Sequence, residues 1–121
     1  AADRECSQWV QQDSAQYAME EFGCWCTKTK KQYSDHLKEG EKVLIRIQMH
    51  DMNGDLLADI EEYLSIGSGD WPLVINRSLK QMSRGEEMRI VAPWYTAYGA
   101  EGTTLIKPYS NIIITLTTIE E

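Results

Sequence analysis

The sequence predicts an α+β fold, an antiparallel sheet wrapped around one short central helix with a helical extension at the N-terminus. Period-two alternation of apolar and polar residues over 43–49, 86–92 and 110–119 is the signature of half-buried strands. Between the first two, Trp71, Val74, Ile75, Leu79 and Met82 fall on one face of a helix. Asn53-Gly54, directly after the first strand, is a strong short hairpin signal and makes its neighbours antiparallel. A chain of 121 residues and 13.9 kDa has the size of one domain.

The elements follow in order. Residues 3–22 contain no Pro or Gly, and Val10, Ala15, Tyr17, Ala18 and Phe22 make a loose apolar stripe, so the stretch predicts an amphipathic helix closed by Gly23. Cys24-Trp25-Cys26-Thr27 is short and β-prone, and the polar, Lys-rich residues 28–41 suit a surface connection ending at Gly40. The expected division is therefore an extension of helix, short strand and linker over 1–39 and a main domain over 40–121. In the first long strand Val43, Ile45, Ile47 and Met49 share one face and Leu44, Arg46, Gln48 and His50 the other. The hairpin turns the chain back through Leu56-Leu57. Ile66-Gly67-Ser68-Gly69-Asp70 is a flexible turn, with Asp70 placed to cap the helix, Pro72 in its first turn and Gly85 as its end. Met88, Ile90 and Ala92 point inward in the next strand, and Ile112, Ile114 and Leu116 in the last. Residues 93–108 form a long irregular loop, and the chain has no internal repeat.

Composition excludes several classes of function. Nineteen acids against twelve bases give a net charge of −7, which repels a phosphate backbone, so no nucleic-acid partner is expected. No apolar run approaches the ~18 residues of a membrane span. No phosphate-binding glycine loop or nucleophile elbow is present, and Gly67-Ser68-Gly69 reads as a turn. Asp51, Asp55, Asp59, Glu61, Glu62 and Asp70 read as a solvated acidic face, because their spacing does not match a calcium loop. His50 beside Asp51 reads as a surface residue. Cys24 and Cys26 are too close to bridge each other easily, whereas Cys6 reaches either if the first segment folds back; three buried thiols is the alternative. The Cys-x-Cys pair with His36 and His50 lacks the second ligand pair of a zinc site, so neither metal nor cofactor is expected. The aromatic inventory is four Trp and six Tyr against one Phe.

Met82-Ser83-Arg84-Gly85-Glu86, Ala92-Pro93, Ala97-Tyr98-Gly99 and Pro108 ahead of the Ile-rich strand stand in the order and spacing of an FKBP-type peptidyl-prolyl isomerase domain, which residues 40–119 resemble. Gly40 with Val43 to Ile47, the Asn53-Gly54 hairpin and Ile66-Gly67 fit the same pattern. The resemblance implies a domain that binds polypeptide at prolyl bonds and needs no cofactor or metal. It puts Tyr98 in the catalytic position and Ile47, Leu57, Trp71, Ile75 and Ile114 around the substrate pocket. The family's pocket aromatics fall on Ile47, Leu57-Ala58, Ile75 and Ile114, and the helix-start amide that contacts a ligand carbonyl falls on Pro72, which has no N–H. Two readings follow. One is a polypeptide-binding module with weak or lost isomerase activity. The other is a working isomerase whose pocket is rebuilt by Trp71, Trp94 and Tyr109, with Tyr98 as hydrogen-bond donor. The helical extension is similar to those of secreted or lipid-anchored bacterial members, implying a periplasmic or cell-envelope location, with a lipoprotein as one form.

Overall fold

The alternating stretches form strands because Val, Ile and Met at every second position suit a sheet with one dry face. In a computed structural model, which describes residues 2–20, 23–69 and 71–119, the elements are α1 (Ala2–Gln12), β1 (Ala18–Met19), β2 (Trp25–Lys30), β3 (Lys42–Asp51), β4 (Leu56–Ser65), α2 (Leu73–Leu79), β5 (Glu87–Ala92) and β6 (Ile112–Ile119). A 3-10 turn at Trp94–Thr96 interrupts the long loop. The strands make one six-stranded sheet in the order β1-β2-β5-β6-β3-β4, with every neighbouring pair antiparallel.

One face of the sheet carries the main core. Val43, Ile45, Ile47 and Met49 of β3, Met88, Ile90 and Ala92 of β5, and Ile112, Ile114 and Leu116 of β6 are all buried there. Val74, Ile75 and Leu79 of α2 close over them, as the helical spacing predicts, and buried Met82 follows through two tight turns. Register brings Ile47 opposite Leu116 and Ile60, and Ile90 opposite Ile114.

The extension differs from the expected long helix, which ends at Gln12. Tertiary bonds outcompete its continuation. The Asp13 amide still reaches the Trp9 and Val10 carbonyls, but its carboxylate accepts bonds from the Tyr17 hydroxyl at 2.8 Å and Arg89 at 3.1 Å. Tyr17 then meets Trp9 edge-on at 6.3 Å, and Ala18–Met19 pair with Cys26 and Trp25. Gly23 lies in the β1–β2 turn, its amide on the Glu20 carbonyl at 3.0 Å, rather than ending a helix. Phe22 and the capping residue Asp70 lie outside the described residues. β2 runs on through Lys30, beyond the expected short strand, because it finds a partner in β5. β1 and β2, which the boundary near Gly40 assigns to the extension, thus share the sheet with the rest. α1 covers the second sheet face, where Cys6, Val91 and Ile113 are buried beneath Trp9 and Val10. Asp3 to Tyr95 and Glu5 to Asn111 tie the helix to the long loop.

Two further elements differ in detail. In the β3–β4 turn Gly54 has φ +92°, whereas Asn53 keeps a negative φ. The Asp51 carboxylate organises that turn, accepting the amides of Asn53 at 2.9 Å and Asp55 at 3.0 Å. α2 begins only after Pro72 and ends with Lys80 as its C-cap, so Gly85 belongs to the turn into β5. That turn is held by Glu86, 2% exposed, whose carboxylate accepts the amides of Ser83 at 2.6 Å and Gln32 at 3.0 Å and pairs with Lys28 at 3.0 Å. Burial pushes the Glu86 pKa up, but these three partners outweigh it and hold it below the usual carboxylate range.

Candidate functional site

On the α2 side of the sheet, Ile47 from β3, Ile75 from α2 and Ile114 from β6 meet with no solvent exposure. Leu57, Trp71 and Tyr98 pack over the same cluster while remaining partly exposed, with Ala58 and Ala97 beside them. The Ile residues are therefore a sealed floor and the other three side chains an accessible apolar rim.

Each rim residue is held by its own local device. The β3–β4 register pairs His50 with Leu56 and Met49 with Ala58, so Leu57 is the extra residue of a bulge and leaves the strict alternation. Trp71 precedes α2; its carbonyl accepts Asn76 Nδ2 at 3.0 Å, and the Pro72 carbonyl accepts the Ile75 amide at 3.0 Å, fixing the entry to the helix. Pro72 itself offers no donor there.

Tyr98 rides on a loop closed by backbone bonds. Its carbonyl accepts the Gly102 amide at 3.0 Å, the Gly99 carbonyl accepts the Tyr109 amide at 3.0 Å, and Thr103 Oγ1 accepts the Ile106 amide at 3.0 Å. Ile106 is buried in the main core and anchors the loop. Gly102 has φ +66°, and a Cβ there would collide with the Ile106 carbonyl oxygen. Burial raises the pKa of the Tyr98 phenol, with no hydrogen bond or charge contributing. Its hydroxyl is thus protonated at neutral pH and has no partner among the described residues, so it can donate to a ligand carbonyl.

The structure places Trp94 and Tyr109 differently. They meet each other edge-on at 4.9 Å, Trp94 also meets Tyr95 at 5.7 Å, and the Trp94 amide bonds Asn111 Oδ1 at 2.9 Å. This ring group is tied towards α1 through Asn111 and Tyr95, whereas Trp71 and Tyr98 pack on the main core. Tyr109 holds φ +58°, unusual for a bulky residue. Ala58, at a pocket position by the resemblance, and Ala97, in the Ala97-Tyr98-Gly99 motif, also pack partly exposed on the main core, although alternation alone gives neither a role.

Other features do not add chemistry to the site. Cys6, Cys24 and Cys26 are free and buried, and burial pushes their thiols to about 12, 11 and 12, which makes them poor nucleophiles. Among the described residues no three His, Cys, Asp or Glu side chains are grouped to hold a metal ion, and no helix is long and apolar enough to cross a membrane. An open cleft of about 1190 Å³ lies towards the β1 edge, lined by Tyr17, Lys28, Lys31, Tyr33 and Glu86. Its lining mixes Lys28, Lys31 and Glu86 with Ala15, Tyr17 and Tyr33, and Glu86 is already satisfied by Ser83, Gln32 and Lys28.

No family model and no curated protein matches this chain by sequence. Solved structures do match its fold. AtFKBP13 superposes with a TM-score of 0.79 at 17% identity, covering 88% of this chain and 99% of that one. The peptidyl-prolyl cis-trans isomerase from Pseudomonas syringae pv. tomato superposes at 0.78 with 19% identity, over 98% of this chain and 92% of that one. The fold is that of the FKBP-type peptidyl-prolyl isomerases. FkpA from Escherichia coli gives a TM-score of 0.83 at 13% identity; the match covers 98% of this chain but 56% of FkpA. The match therefore takes in the extension as well as the residues that carry the sequence motifs. Within this FKBP-type fold, the Ile floor lies in the core between the sheet and α2, and Leu57 of β4, Trp71 before α2 and Tyr98 of the long loop pack on that core partly exposed.

Proposed function

We propose that this FKBP-fold domain docks prolyl-containing polypeptide on the Leu57, Trp71 and Tyr98 rim and isomerises it weakly. Rotation about an X-Pro amide breaks resonance, with a barrier of ~18–20 kcal/mol. A protein accelerates it by desolvating the amide and by holding the substrate carbonyl in a twisted geometry with fixed donors. The observation that carries the reading is Pro72 at the mouth of α2, the position to which the resemblance assigns a ligand-contacting amide, where proline has no N–H to give. The floor beneath is aliphatic and sealed, and among the described residues the aromatic rings packed on this core are Trp71 and Tyr98. What remains is apolar contact area with the Tyr98 hydroxyl and the Trp71 indole N–H as side-chain donors, enough for binding and poor for selecting a twisted transition state. Chemical-shift mapping with a short Ala-Leu-Pro peptide tests the docking. Perturbations should centre on Leu57, Trp71 and Tyr98 and weaken in Tyr98→Phe; shifts confined to the cleft around Lys28 and Lys31 would refute it.

A further inference from the structure

β4 is the terminal strand of the sheet and bonds only β3, so its outer amides and carbonyls form an open ladder among the described residues. The ladder begins at the docking rim, with Leu57 and Ala58. Further along, Ala58, Ile60 and Glu62 stand opposite Met49, Ile47 and Ile45, so they share the sheet face that carries the floor of the site. Glu62 is exposed although Ile45 opposite it is fully buried. The stretch from Asp51 to Glu62 contains five acids and neither Lys nor Arg. Asp51 is used in the hairpin turn and Asp59 pairs with Arg46 at 2.8 Å. Asp55, Glu61 and Glu62 have no ion pair among the described residues.

We infer that the polypeptide this site takes is basic. Its proline rests on the rim while its chain runs extended along the β4 edge, with a Lys or Arg about five residues from the proline and level with Glu62. A Lys or Arg stem can lie along half-exposed Ile60 while its charge reaches Glu62, and the net charge of −7 adds long-range attraction. An acidic segment with the same proline is rejected by the same groups. This inference rests on the docking reading above.

Labelled Ala-Leu-Pro peptides carrying Lys, Gln or Glu five residues from the proline, on either side, are titrated against the full chain. At low salt the Lys peptide should bind about three- to fivefold tighter than the Gln peptide, with the Glu peptide weaker still. The differences should collapse near ~0.5 M salt, and a Lys placed beside the proline should lose its advantage. Glu62→Lys should reverse the order of the Lys and Glu peptides; an unchanged order overturns the inference. Equal affinity for the three peptides, weakened alike by Tyr98→Phe, also overturns it and leaves the docking reading standing. Binding of none overturns both.

Discussion

In the proposed reading, the N–H that Pro72 lacks at the Trp71-Pro72 step is what makes a surface that holds a prolyl segment a poor one for twisting it. Replacing Pro72 by Ala restores a donor in a segment already fixed by the Asn76 and Ile75 bonds. Pro72→Ala is expected to raise prolyl-peptide affinity and isomerisation about fivefold, the worth of one modest hydrogen bond of ~1 kcal/mol, measured by titration and by a cis/trans assay. Gly102 is the opposite case, since any side chain there collides with the Ile106 carbonyl under the Tyr98 loop. Gly102→Ala should cost at least ~1 kcal/mol in denaturant unfolding and weaken peptide binding by displacing Tyr98. Wild-type stability and affinity in that variant would show that the loop does not position the ring. Tyr98 and Trp71 are singled out in sequence by the resemblance, and both pack partly exposed on the main core. The pairing of Trp94 with Tyr109 was not, because it depends on the Asn111 and Gly99 bonds that fold the loop.

Among the elements, β3, β5, β6 and the buried face of α2 were legible because each writes its own period into the sequence. The end of α1 was not, because Asp13 is claimed by Arg89, more than seventy residues away. β2 likewise owes its length to β5. Val91 and Ile113 look outward by alternation, yet α1 covers them. Ile113→Ala should therefore cost about 2–4 kcal/mol in unfolding free energy, as for a core position. Thr115→Ala, on the same face of β6, should stay within about 0.5 kcal/mol. Equal small effects would mean that α1 does not seal this face.

The Glu86 turn joins three elements and gives a pH signature. Its folded pKa lies below the ordinary carboxylate value, so its contribution is complete at neutral pH and is lost as pH falls from about 4.3 through the lower folded value. Glu86→Gln should lose about 2 kcal/mol at pH 7 and flatten the acid limb of stability against pH. An unchanged acid limb would remove Glu86 from that role.

For the molecule as a whole, the FKBP-type fold is present at 13–19% identity, and its core is filled largely by aliphatic residues, Ile47, Ile75 and Ile114 among them. In the proposed reading, Ile47, Ile75 and Ile114 maintain packing without supplying the aromatic walls that the resemblance implies for a stacking cleft. The direct measurement is isomerisation of X-Pro peptides at saturating protein, beside their affinity. Measurable binding that falls in Trp71→Ala and Tyr98→Phe is expected, with a rate close to that of buffer alone. A large rate enhancement lost in both variants would contradict the proposed reading and identify a working isomerase.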